Sequence, residues 1–291
     1  VPELPEVETV RRGLERQTCG VTIERVEVLR ARAIAAPPDP ELFALALRES
    51  TIAGWQRRGK YLLAPLQSAD GQNAGTWGVH LRMTGQFLWL AHRDALADGD
   101  PPPAVGPHTR VRLWSSAGDE LRFIDTRSFA QMWWVPPERA IESVITGLAR
   151  LGPEPFDPAF SPSHLSRRLR GSSRPIKNAL LDQSLVAGVG NIYADESLFA
   201  AGIRPHTPSG RVGRAALERL HGALVEVLQA SIGAGGTSFS DFRDLTGTNG
   251  HYGGMAWVYR RTGLPCRRCG APIQRDRLAG RSTHWCTSCQ R

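Results

Sequence analysis

The hydrophobic pattern changes period twice along the chain. Over residues 5–18, Val7, Val10 and Leu14 recur at helical spacing behind Pro5, with acids in the first turn, which predicts a leading helix. After Gly20 the texture alternates, with Val21, Ile23, Val26 and Val28 facing one way. Runs rich in Val, Trp, Phe and Leu at 61–66, 77–90, 110–115, 120–125 and 131–135 predict further strands, and 94–108 is a loop by composition. From about 137 the period is helical, over 138–150, 162–170, 175–186, 192–201 and 211–232, with Gly, Pro and Ser between. Glycine-rich 233–254 is a loop, and the tail from 256 has the texture of two short hairpins. The predicted division is a mostly β domain with a leading helix at 1–136, a helical domain at 137–232, the loop at 233–254 and a small module at 255–291.

Composition narrows the class. With 41% hydrophobic and 22% charged residues, 291 residues can bury a core, and disordered, collagen-like or membrane proteins are excluded. No uncharged apolar run reaches the roughly 18 residues of a spanning helix. The opening Val1-Pro2-Glu3-Leu4-Pro5-Glu6 is acidic where an export signal would be basic and then apolar, so an intracellular protein is expected. The net charge is +8, yet only Lys60 and Lys177 among the 36 basic residues are lysines. A lysine that persists in so arginine-rich a chain points to a place where a compact, tunable ammonium is favoured, with chance survival as the alternative reading.

Four of the five cysteines form Cys266-x-x-Cys269 and Cys286-x-x-Cys289, a spacing suited to a closed tetrahedral site for one structural Zn²⁺. Cys19 stands alone and is expected in the core. The tail carries Arg260, Arg261, Arg267, Arg268, Arg275, Arg277, Arg281 and Arg291 against Asp276 alone, a density suited to a phosphate backbone. Upstream, Pro175 can open a helix that Gly188 to Gly190 end, after which Asn191 suits the N-cap of a second helix closed by Gly202. Such a Gly-Val-Gly turn offers free N–H groups to an anion.

Taken in order, Pro2-Glu3-Leu4-Pro5-Glu6-Val7-Glu8-Thr9, Arg58-Gly59-Lys60-Tyr61-Leu62-Leu63, His80-Leu81-Arg82-Met83-Thr84-Gly85, Gly188-Val189-Gly190-Asn191-Ile192-Tyr193 and the Cys₄ tail resemble the formamidopyrimidine-DNA glycosylase family. The resemblance implies an α+β fold: an N-terminal β-sandwich domain with a leading helix, then a C-terminal helix-two-turns-helix domain with a Cys₄ zinc finger. It implies a bifunctional glycosylase and abasic-site lyase that removes oxidised purines from double-stranded DNA. Such enzymes need no cofactor beyond the zinc, do not engage membranes, and act as monomers in the bacterial cytoplasm, with the nucleoid. Pro2 is then the amine nucleophile, Glu3 the adjacent acid–base residue, Lys60 the proton-transfer group in β-elimination, and Arg281 the arginine of the δ step. Met83, Arg127 and Phe129 would fill the gap left by the extruded base. His108, Lys177 and Asn191 would hold the DNA backbone, with a further contact at Ser172 or its replacement Arg174. Residues 233–254 match a lesion-capping loop.

The chain departs from the family pattern in two places. Thr126, Ser128 and Ala130 replace residues of the usual Asp-Pro-Arg-Arg-Phe-Gly, which removes one arginine contact. Val1 precedes the nucleophile, and its removal, as expected of a GTG start read as valine, is required to free Pro2. Two alternatives stay open: an endonuclease VIII-like enzyme for oxidised pyrimidines, and a non-catalytic zinc protein that binds lesion DNA if Val1 is retained.

Overall fold

The computed structural model describes residues 2–92, 103–237, 245, 247 and 250–291. They form two compact units, one of 6–149 with 237–250 and Pro2, the other of 3–5, 150–236 and 251–291. The β unit therefore runs past the expected boundary at 136, because Ile145 packs on Gly78 and Gly147 passes against the Tyr61 hydroxyl.

The first unit begins with α1 (Leu4–Thr18) and β1 (Ile23–Val28), then β2 (Ile34–Ala36), α2 (Pro40–Leu47), β3 (Thr51–Ile52), β4 (Gln56–Arg58), β5 (Tyr61–Gln67) and β6 (Asn73–His80). It continues with β7 (Gly85–Leu90), β8 (Thr109–Ser115), β9 (Glu120–Asp125), β10 (Gln131–Val135) and the short α3 (Ile141–Val144). One sheet has the order β1-β8-β9-β7; the other runs β2-β10-β6-β5-β3, with β4 also paired to β5. Both sheets and α1 share one core, in which Val7, Val10 and Leu14 meet Trp77, Phe87 and Phe123. The aromatic rings pack edge to face, Trp55 on Trp77 at 5.2 Å and Phe87 on Phe123 at 5.0 Å. β8 alternates buried and half-buried residues throughout, as a sheet with one covered face should. In β1 a bulge between Ile23 and Arg25 explains the odd spacing from Ile23 to Val26.

Several local expectations are corrected. The run 77–90 is two strands, broken where Arg82 adopts φ 53° and the Gly85 amide returns to the Leu81 carbonyl. The helical stretch 138–150 retains only α3 and a 3₁₀ turn at Leu148–Arg150. Cys19 is exposed beyond the end of α1, its thiol directed at the Ala53 carbonyl.

The second unit contains α4 (Pro162–Leu169), α5 (Ile176–Leu180), α6 (Asn191–Ala201), α7 (Arg214–Gly233), β11 (Gln274–Leu278) and β12 (Arg281–Trp285). Ser161 caps α4 by accepting the His164 amide. The helix expected over 175–186 stops at Leu180, because Asp182 turns back to accept the Ser184 amide and hydroxyl. Gln183 then grips the Gly188 amide and the Val189 carbonyl, fixing the glycine turn. In the tail only β11 and β12 form a hairpin; the first expected hairpin reduces to one bridge, Pro265 to Pro272, around the cysteine knuckle. No helix among the described residues is long and apolar enough to cross a membrane.

Candidate functional site

In the first unit Pro2 is buried and Lys60 half-buried. Lys60 sits with Gly59 (φ 57°) at the two-residue turn joining β4 to β5. Arg57 braces that turn, donating to the Gly59 carbonyl and pairing with Glu8 at 3.1 Å. Beside it lies His80, to which the sequence reading gave no role. Burial, then the cations Arg82 and Lys60, hold its imidazole down at about 3. Its Nδ1 accepts the Arg82 amide at 3.0 Å, so the proton of the neutral ring sits on Nε2, a donor suited to an anion.

Met83, Arg127, Phe129 and His108 also gather in this unit, around a carboxylate the sequence reading left unassigned. Asp125, 1% exposed, accepts the Thr84 hydroxyl and the Arg127 and Ala130 amides, while its own amide donates to the His108 carbonyl. The Thr84 hydroxyl also accepts the Arg127 amide at 3.1 Å, tying the Met83 loop to the Arg127 loop. Each loop has a residue with left-handed backbone, Arg82 before Met83 and Ser128 (φ 54°) between Arg127 and Phe129. Phe129, with the Arg127 guanidinium 4.9 Å from its ring centre, is 45% exposed and so is no core residue.

The second unit is organised by α6. Its cap is Gly190 rather than Asn191, which is the first helical residue, its buried Oδ1 having no partner among the described residues. The capping oxygens come from Glu3, which accepts the Ile192 amide at 2.9 Å and the Tyr193 amide at 3.4 Å. A Cβ on Gly190 would overlap that carboxyl group. Farther along, Glu196 accepts the amides of Trp257, Val258 and Tyr259 at 2.8–2.9 Å. Burial pushes its carboxyl up, against the pull of those amides.

Asp195 forms the third anchor. It accepts the His284 amide at 2.9 Å and ring Nδ1 at 3.1 Å, and pairs with Lys177 at 2.7 Å. Lys177, expected on a DNA backbone, is fully buried. Its ammonium donates to the Ser282 carbonyl at 2.6 Å and the Thr283 hydroxyl at 2.8 Å, so three acceptors surround one point charge. A planar guanidinium does not fit that nest, which accounts for the persistence of lysine. Burial holds the Lys177 ammonium below its ordinary value, with Arg281 pushing the same way and Asp195 and Glu3 pulling against them. The clamp fixes β12, at whose start Arg281 is exposed. Arg174 is exposed and pairs with Asp182 at 3.0 Å; Ser172 is half-buried.

The sulfurs of Cys266, Cys269, Cys286 and Cys289 lie within 4.8 Å of one another, with Cys266 to Cys289 at 3.9 Å and Cys269 to Cys286 at 3.5 Å. Four thiolates about 2.3 Å from a tetrahedral Zn²⁺ stand about 3.8 Å apart, so the set fits one structural zinc, and no disulfide is present among them.

Family models match residues 1–132 (formamidopyrimidine-DNA glycosylase N-terminal domain), 151–243 (its H2TH domain) and 263–291 (a zinc finger found in FPG and IleRS). The formamidopyrimidine-DNA glycosylase of Synechococcus sp. is 63% identical over 100% of this chain and 99% of its own, and that of Parasynechococcus marenigrum 61% over 100% of both. Among solved structures, the MutM (Fpg) protein of Thermus thermophilus superposes with TM-score 0.84 at 37% identity, covering 99% of this chain and 98% of its own. The Lactococcus lactis Fpg in complex with DNA containing an abasic site gives 0.86 at 34%, covering 99% of both chains. The chain belongs to the formamidopyrimidine-DNA glycosylase family.

Proposed function

We propose that the protein is a bifunctional DNA glycosylase and abasic-site lyase of base excision repair that removes oxidised purines, 8-oxoguanine and formamidopyrimidines, from double-stranded DNA. One arrangement carries this function: the nucleophile candidate Pro2 is covalently next to Glu3, whose carboxylate is fixed by two amides at the head of α6. The relatives' names and the lesion DNA in the neighbouring structures support the substrate class.

A terminal amine has a pKa near 8, so about a tenth is neutral at pH 7 and able to attack. The Pro2 nitrogen lone pair forms a bond to C1′ of the damaged nucleotide, and the glycosidic electron pair leaves with the base, Glu3 serving as acid–base residue. The sugar opens to a charged iminium that acidifies the C2′ hydrogen. Lys60 moves that proton as the 3′ phosphate departs, and Arg281 neutralises the second phosphate during δ-elimination. Met83, Arg127 and Phe129 fill the space of the extruded base, with Arg127 facing the orphaned partner. His108, Asn191, Arg174 and Ser172 hold backbone phosphates. Residues 238–244, 246, 248 and 249 of the 233–254 loop, proposed to cap the lesion, lie outside the described residues, as does Val1. The protein acts as a monomer in the bacterial cytoplasm, held to the nucleoid by its net charge of +8.

Borohydride reduction on an 8-oxoguanine duplex should trap a covalent adduct at Pro2, and intact mass should give a chain that begins there. Absence of an adduct from the native protein would overturn the mechanism; retention of Val1 would leave a lesion binder. Faster cleavage of thymine glycol than of 8-oxoguanine opposite cytosine would instead assign the endonuclease VIII-like activity.

A further inference from the structure

Between α4 and the start of α7 lies a cavity of about 330 Å³, apart from every residue assigned above. One wall is a single face of α4 and its cap, with Ser163, Ser166, Arg167 and Arg170 at successive three- and four-residue steps. The other is Arg214, at the first turn of α7, with Glu218. The opposite face of α4 is apolar, and Leu165 and Leu169 are buried there, so the arginine face is fixed in orientation by the core.

The charges in the cavity do not balance. Glu218 is already paired with Arg214 at 3.1 Å. Arg167 and Arg170 have no ion pair among the described residues, whereas their neighbour Arg168 turns away to the Ser184 hydroxyl at 3.2 Å. Three arginines and two serines therefore line a concave, solvent-facing space together with one carboxylate, leaving an excess of two positive charges. Guanidinium forks and hydroxyls in that arrangement match the oxygens of a phosphate. The chain leads from the cavity directly into the proposed DNA-contacting segment: from Arg170 it passes Gly171 (φ 70°) to Ser172 and Arg174, and the Gly210 amide holds the Ser172 carbonyl at 2.8 Å.

We propose that this α4/α7 cavity is a second phosphate site, which takes the backbone of the duplex outside the segment that contains the lesion. The inference rests on the function proposed above, since it takes DNA as the partner. Its role is to lengthen the electrostatic footprint while contributing nothing to the chemistry. Each phosphate neutralised releases counterions, so the site is visible in the salt dependence of binding.

The test compares the full-length protein with Arg167→Ala/Arg170→Ala on duplexes of about 10 and about 30 base pairs, lesion-bearing and undamaged. On the longer duplex the variant should bind about tenfold more weakly, with its log–log salt slope reduced by about 2. On the shorter duplex both binding and lesion cleavage should match the wild type. Glu218→Gln, which removes the competing carboxylate, should shift affinity the other way and tighten binding to the longer duplex. Equal binding of variant and wild type to the longer duplex would overturn the proposal. An equal loss on both lengths would also overturn it, by placing the arginines at the lesion. Competition by inorganic phosphate or a nucleotide with no length effect would assign the cavity to a free phosphate and refute the backbone site. A wild type that cleaves no lesion on the short duplex would sink the glycosylase function, while the length effect on undamaged DNA would still be measured separately.

Discussion

Replacing Asp195 with alanine isolates the buried clamp that holds β12. The carboxylate is fully buried and takes Lys177 at 2.7 Å and His284 at 2.9 and 3.1 Å. Its removal leaves a buried ammonium with two neutral acceptors, Ser282 and Thr283. Breaking such a pair from one side costs about 3–5 kcal/mol, and the lost His284 bonds overlap with that figure rather than adding to it. Urea denaturation of the zinc-loaded protein should therefore show a loss of about 3–5 kcal/mol in the unit that contains β12. The double variant Asp195→Leu/Lys177→Met, which removes both charges, should recover much of the loss. Because β12 begins with Arg281, the single variant should also accumulate β-elimination product at the expense of δ product, with borohydride trapping retained. A loss below about 1 kcal/mol, or a double variant no more stable than the single one, would refute the clamp.

His80 makes the first unit acid-sensitive. Its folded value of about 3 lies below an unfolded value near 6.5, so the unfolded state binds the extra proton and stability falls as pH drops through that window. Between pH 7 and pH 5 the loss should be about 2 kcal/mol in urea melts and absent in His80→Phe; an unchanged pH profile in that variant would exclude His80 as the source. Gly190→Ala pushes a methyl group into the Glu3 carboxyl and should lower adduct formation at least tenfold with the fold retained; wild-type trapping would mean that Glu3 placement is unimportant. The native protein should release one equivalent of zinc to a strong chelator, and Cys286→Ser should hold less than one; zinc-free, fully stable native protein would disprove a structural metal.

Much of this was legible in the sequence, for local reasons. Strands β9 and β10 occupy the expected 120–125 and 131–135 because short runs rich in Leu, Phe, Ile, Trp and Val suit strands buried along most of their length. The end of α6 at Gly202 followed from a glycine whose φ of 72° needs no side chain. Helix α2 passed unnoticed although Asp39 and Pro40 give an N-cap and first-turn signal, since its eight residues include too little polar contrast. Lys177 was singled out by its rarity, but its burial was not legible, because Asp195, Ser282 and Thr283 become its partners only through tertiary folding. The same holds for Asp125, Glu196 and His80, whose roles depend on amides and cations brought from other elements.

Helix α6 has a consequence for synthesis. Its anchors are residue 3 at one extreme and residues 257–259 and 284 at the other, so its partners leave the ribosome long before and long after it does. A nascent chain that ends at residue 250 holds Asp195 and Glu196 without the amides that donate to them, and Lys177 without two of its three acceptors. The helix that holds Glu3 in place gains its full set of buried partners only once the cysteine module has been made. Contacts of such long sequence separation form last and slowly. An incomplete chain would therefore carry the proposed amine site on a helix whose buried charges still lack their partners.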